Sequence, residues 1–358
     1  GCLQNLHAIA DIMGHVIALS LGQKLKGRGV SMNNARKLVT DSRLTSLLNS
    51  WLDRDLGVAG TLVMRGGSSV RVAVHEAVAR VPQLAIHLDR DVNERGVVLD
   101  KQLHLSPVWG VGNPVEGEFR EWIAAKADVP AADVLSWDLC LFDRTPAAVL
   151  GPNADLLASG RLDNQASCWA ATAALCASQQ PSGHTAVVAL FDHEEVGSES
   201  TTGAAGPLLE HVLERLAVAT GASRADYLAQ LAASRCISAD NAHSVHPNYP
   251  ERHEAGHRPL VNQGPAIKLN HNQRYATSPH TAAFARDVFE AAGVPSQTFV
   301  SRNNMPCGST IGPITSTQLG IEAIDIGIPQ LSMHSAREMC GSEDPEYLVA
   351  LMTAFTQS

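Results

Sequence analysis

The chain has 358 residues, 45% of them hydrophobic and 4% aromatic, with a formal net charge of −9. That length points to two units built on aliphatic side chains, the acidic balance argues against a nucleic-acid partner, and no apolar run is long enough for a bilayer. Seven cysteines, an odd number with no Cys-x-x-Cys pair, fit buried thiols in a reducing compartment, so a cytoplasmic location is expected rather than a disulfide framework or a cysteine–zinc site.

Residues 1–20 are partly apolar but lack a basic start, and they are not read as a signal peptide. Residues 58–64, 69–74 and 97–99 are short β-type runs separated by glycine and polar turns, the texture of a smaller β-rich domain. From residue 158 onward the pattern alternates. A helix over 166–178 precedes a strand over 185–191, and a strand over 265–269 precedes a helix over 280–292. A strand over 297–301, a helix over 309–319, a strand over 323–326 and a closing helix over 344–356 follow. Such alternation predicts an α/β fold, a mostly parallel sheet flanked by helices.

The apolar run 185–190 ends at Phe191-Asp192-His193-Glu194-Glu195. A strand of a parallel sheet that stops at two carboxylates places them at its C-terminal edge, where α/β enzymes build their sites. Adjacent side chains point in different directions, so the two acids suit two tasks: one to ligate a metal, one to take a proton from water. An isolated Glu-Glu pair is more often a solvated loop opening. Asp163, before the helix over 166–178, is equally the residue type that caps a helix. Taken with Asp240 and His334, however, Asp163, Glu194 and Glu195 form the carboxylate-rich inventory of a hydrolytic two-metal site.

These residues lie in ordered motifs: Asn49-Ser50-Trp51, Ala85-Ile86-His87, Gly160-Arg161-Leu162-Asp163-Asn164, Asp192-His193-Glu194-Glu195-Val196-Gly197, Ser238-Ala239-Asp240-Asn241-Ala242-His243, Gln273-Arg274-Tyr275, Pro306-Cys307-Gly308-Ser309-Thr310 and Met333-His334-Ser335. In them, from about Leu48 to the C-terminus, the chain resembles the aspartyl aminopeptidase family of metallopeptidases. The resemblance implies a zinc aminopeptidase that removes N-terminal Asp or Glu from peptides. It makes Asp163 a bridging ligand, gives Glu195 and His334 to one zinc and Asp240 to the second, and makes Glu194 the general base. Manganese or cobalt would substitute for zinc. The family's histidine segment Ala-His-Thr-Asp-Ser-Pro is absent here; His15, in Gly14-His15-Val16, is the candidate at about the right distance, without the aspartate that would orient it.

By the same resemblance, residues 1–50 are a divergent first part of the catalytic domain, 51–150 an inserted β-rich dimerisation domain and 151–358 the catalytic α/β domain. His87 would reach a neighbouring subunit's site, and a homo-oligomer larger than a dimer is expected. Lys268 would contact the substrate's acidic side chain with Tyr275 beside it, although its position in a strand equally fits a lysine snorkelling to solvent. Two alternatives stand beside this reading. One is a two-metal carboxypeptidase or deacylase. The other is a catalytically impaired family member that persists as an assembly or peptide-binding subunit.

Overall fold

A computed structural model of the chain describes residues 46–113, 115–178 and 183–358; His15 lies outside the described residues. They form two compact units. One runs up to Ala147 and includes His334–Arg337; the other comprises Ala148–Met333 and Glu338–Ser358. Among the described residues, no helix is long and apolar enough to cross a membrane.

The first unit is a β-sheet with a helix on one face. Strands β1 (Leu56–Met64) and β2 (Ser69–Ala79) form a hairpin; helix α1 (Glu118–Lys126) follows, then β3 (Val134–Asp143). The order is β2-β1-β3, antiparallel throughout. Gly66 and Gly67 turn the hairpin at φ 89 and 87, a left-handed backbone open to glycine without steric cost. Leu62, Val72, Ile123 and Leu139 are buried between sheet and helix, with Phe119 and Trp137 edge-to-face at 5.8 Å. The expected strand over 97–99 does not form: these residues carry no strand and Val98 is 80% exposed. A β-type composition makes a strand only where another strand completes its ladder.

The second unit begins with β4 (Ala148–Leu150), β5 (Leu156–Ser159) and helix α2 (Leu162–Ala177), followed by α3 (Leu208–Ala219), α4 (Arg224–Ala233), β6 (Arg235–Ala239) and β7 (Ala242–His243). Then come β8 (Ala266–Leu269), α5 (Pro279–Ala292), β9 (Gln297–Val300), α6 (Ile311–Leu319), β10 (Glu322–Gly327), β11 (Pro329–Leu331), β12 (Glu338–Gly341) and α7 (Asp344–Phe355). One sheet has the order β6-β10-β8-β9, with β10 parallel to β6 and antiparallel to β8. The other has the order β4-β5-β12-β11-β7, in which only β11 and β7 run parallel. The α/β class holds, with mixed strand directions. Helix α2 buries Ala166, Ala170 and Ala174 in one small-residue stripe and packs against α7. Ser278 closes a capping box at the start of α5, and Ser223 does the same for α4.

The expected strand over 185–191 takes no strand among the described residues, and Val187 and Leu190 are 47% and 54% exposed. An apolar run alone does not fix a strand; the ladder does. By contrast, β6 and β7 lie along β10 and β11 without a break. Asp240 N donates to Ile326 O (3.1 Å), Ala242 N to Ile328 O (2.9 Å) and Ser244 N to Gln330 O (2.9 Å). At Gly327 the two chains pass so closely that a Cβ would overlap the Asp240 carbonyl oxygen.

Candidate metal centre

Asp163 sits where α2 begins. Its ψ of 110 and the φ of −118 at Asn164 depart from helical values, so the carboxylate stands clear of the regular turns behind it. Its backbone N donates to Glu338 Oε2 at 2.8 Å, and Glu338 is only 2% exposed. Glu194 and Glu195 open a 3-10 turn, Glu194–Val196, between His193 at φ 64 and Gly197 at φ 103. Successive side chains in such a turn project about 120° apart, which separates the two carboxylates as adjacent tasks require. His334 sits in the connection between the paired strands β11 and β12 and has φ 64. Each segment thus carries a non-glycine residue in the left-handed region: Arg161, His193 and His334 itself. Such backbone costs about 1–3 kcal/mol per residue and persists only where surrounding structure holds it.

Among the described residues, Asp163, Glu195 and His334 offer ligand atoms that all lie within 4.8 Å of one another. Two carboxylates and an imidazole at this spacing suit zinc, whose catalytic sites use three protein ligands and leave one position open. The donor set therefore fits the metal inferred from sequence. Cys168 lies outside this group; burial first, then the Asp163 carboxylate, push its thiol up.

Asp240 is not one of the three. Its Oδ2 accepts from Lys268 Nζ at 2.9 Å, and Lys268 is 2% exposed. The ammonium lies 5.4 Å from the centre of the Tyr275 ring, a cation–π contact. Lys268 therefore does not snorkel to solvent; it is a buried cation held by a carboxylate and an aromatic face. Burial, then a hydrogen bond with Cys307, push the Tyr275 phenol up, so it keeps its proton. His87 is exposed in the turn after β2, in the first unit.

Sequence reasoning missed the amides and the acid behind these ligands. Asn164 Nδ2 donates to Ala239 O at 2.6 Å; Asn241 Nδ2 donates to Leu162 O at 2.9 Å and to Gln330 Oε1 at 2.7 Å. Asp325, fully buried on β10, accepts from Ser238 Oγ (2.7 Å), Thr310 Oγ1 (2.6 Å) and Ala276 N (2.6 Å). It ties Ser238, two residues before Asp240, and Ala276, next to Tyr275, to β10. The repeated Asp-Asn doublet, at 163–164 and 240–241, was the one signal in the sequence.

Residues 9–356 match the family described as aminopeptidase I zinc metalloprotease (M18), a match that begins within the divergent N-terminal stretch. The probable M18 family aminopeptidase 2 of Streptomyces coelicolor is 50% identical over 316 residues, covering 87% of this chain and 73% of that protein. Among solved structures, Ape4 in complex with Nbr1 superposes with a TM-score of 0.82 at 33% identity, over 87% of this chain and 64% of that one. The mApe1 dodecamer of Saccharomyces cerevisiae gives 0.70 at 30% identity, over 86% and 70%. The chain thus spans just under two thirds of the Ape4 chain's length.

Proposed function

The chain belongs to the M18 family of zinc aminopeptidases, hydrolases that act on peptides, and on that premise we propose that it removes N-terminal Asp or Glu from peptides. The observation that supports the hydrolytic part of this reading is the convergence of Asp163, Glu195 and His334 from a helix start, a 3-10 turn and a hairpin. Zinc held by them would lower the pKa of a water toward neutrality and polarise the scissile carbonyl. Glu194, turned away from its neighbour by the 3-10 geometry, takes the proton of the attacking water on its carboxylate and returns it to the leaving amine.

A second cation would lie between Asp163 and Asp240. Lys268 takes Asp240 Oδ2, which leaves Oδ1 as an acceptor for that cation. With only His15 as a candidate further ligand, and that one outside the described residues, this second position is proposed as the weaker of the two, where manganese or cobalt would also serve. Lys268 is the proposed partner of the substrate's acidic side chain, supported by its burial beside Tyr275. His87 is proposed to act in a neighbouring copy's site, with residues 51–150 as the dimerisation domain, within a homo-oligomer larger than a dimer. The dodecamer formed by the S. cerevisiae relative supports that assembly. The same reading keeps residues 151–358 as the catalytic domain.

One observation favours a second reading, a chain that assembles or binds peptides without turnover: Asp240 is engaged by an ammonium and stands outside the ligand group. Zinc content per chain, measured with turnover of Asp- and Leu-anilides, separates the two. Zinc-dependent hydrolysis favouring the Asp-anilide is expected. Zinc retained without turnover selects the second reading, and a preference for Leu removes the acidic specificity.

A further inference from the structure

The two Asp-Asn doublets are joined by a reciprocal pair of hydrogen bonds. Asn164, which follows Asp163, donates to the carbonyl of Ala239, which precedes Asp240. Asn241, which follows Asp240, donates to the carbonyl of Leu162, which precedes Asp163. The two segments lie more than seventy residues apart in sequence, so nothing local holds them together. Asn241 also donates to Gln330 on β11, the strand that leads to His334.

The chemistry fixes these amide orientations. Leu162 O can only accept, so the group of Asn241 facing it must be its NH2; the same NH2 then faces Gln330, whose oxygen must point inward. Asn241 is 2% exposed, Gln330 1% and Leu162 1%, which leaves little room for water to replace a lost donor.

We propose that Asn241, assisted by Asn164, is a positioning residue that sets the separation of the Asp163, Asp240 and His334 segments and thereby the affinity for zinc. It touches neither metal nor substrate and acts through the backbone on either side of the ligands. The inference rests on the metal reading of the site. A side chain that orients metal ligands from behind typically changes affinity 10–100-fold when removed, whereas a residue that serves only the fold changes stability and leaves affinity alone.

Asn262 provides a matched control in the same unit: its Nδ2 donates to Asp155 O at 2.7 Å and its Oδ1 accepts from Glu343 N at 2.9 Å. Zinc affinity is measured by chelator competition, and the melting temperature is recorded with and without zinc, for the wild-type chain, Asn241→Ala, Asn164→Ala and Asn262→Ala. Expected is a loss of zinc affinity of about 10–100-fold for Asn241→Ala, a smaller loss for Asn164→Ala, and none for Asn262→Ala despite its lower melting temperature. Wild-type affinity in folded Asn241→Ala overturns the proposal, as does an equal loss in Asn262→Ala. Where Asn241→Ala fails to fold, unchanged affinity in the less buried Asn164→Ala overturns it. A wild-type chain that binds no zinc overturns the metal reading itself, and this inference with it.

Discussion

The stretches that carry Asp240 and the Glu194-Glu195 pair make an instructive contrast. The first runs from β6 into β7 with each alternate amide bonded to β10 or β11, and Asn241 and Lys268 are buried around it. The second follows an apolar run that takes no strand among the described residues, and Glu195 is exposed. The two supply similar carboxylates by opposite means. The first is held by a ladder and buried amides. The second sits in a 3-10 turn between residues of positive φ, with Asp192 N bonded to Thr202 O and His193 Nδ1 to Ser200 Oγ.

The sharpest test of that contrast lies in the open stretch. Glu194→Gln should lower turnover by about 10²–10⁴-fold, because an amide cannot accept the water's proton. Zinc content should stay nearly unchanged, whereas Glu195→Gln should lose zinc. Equal metal loss in the two variants would end the division of labour between them.

In the buttressed stretch the cost should fall on the fold as well. Lys268→Met leaves the Asp240 carboxylate without its ammonium; removing one partner of a buried pair costs roughly 3–5 kcal/mol. Urea unfolding measures that loss, and the ratio of Asp- to Leu-anilide turnover tests the specificity role. Full stability would mean the pair is solvated in solution. An unchanged ratio would take Lys268 out of the side-chain pocket.

Asp344 extends the contrast to a buried carboxylate that accepts from backbone amides. Its partners are the amides of Asn262 and Gly341, and burial raises its pKa from 3.8 to about 6. The folded chain holds this proton up to about pH 6 while the unfolded chain releases it near 3.8. Stability from this group is therefore present below pH 4 and lost as pH rises to 6, about 3 kcal/mol in all. Unfolding free energies at pH 4, 5, 6 and 7 should fall for the wild type relative to Asp344→Asn as pH rises to 6, because only the wild type must ionise a buried carboxyl. Parallel curves would place the charge elsewhere.

The smallest effect is one of backbone opening. Amides of Ala242 and Ser244 should exchange hydrogen at least about tenfold more slowly than those of residues 186–190, since the former open only with the sheet. Equal protection would show that residues 185–191 are laddered in solution after all.

Much of the second unit was legible in the chain itself. Helices expected over 166–178, 280–292 and 344–356 are found as α2, α5 and α7. Strands β8, β9 and β10 fall within a residue or two of the expected runs. These are local properties, carried by neighbours three or four positions away or by alternation within one strand. The inventory of carboxylates and one histidine was legible as well, because hydrolytic metal chemistry demands those residue types.

What tertiary structure alone decided is everything that depends on a partner distant in sequence. Strand direction is one case: β8 runs antiparallel to β10 yet parallel to β9, and nothing within β8 distinguishes the two sides. The run over 185–191 is another, apolar enough for a strand but assigned none among the described residues. Lys268 read equally as a contact for the substrate's acidic side chain or a snorkelling residue; its burial against Asp240, twenty-eight positions away, emerged only in the fold. Nothing local marks the roles of Asn241 and Gln330, for the same reason: an amide's role is set by the acceptors it faces, here eighty-nine residues away and brought close by the pairing of β7 with β11. Composition and periodicity report which groups are present and which face they share; only the folded chain decides which of them meet.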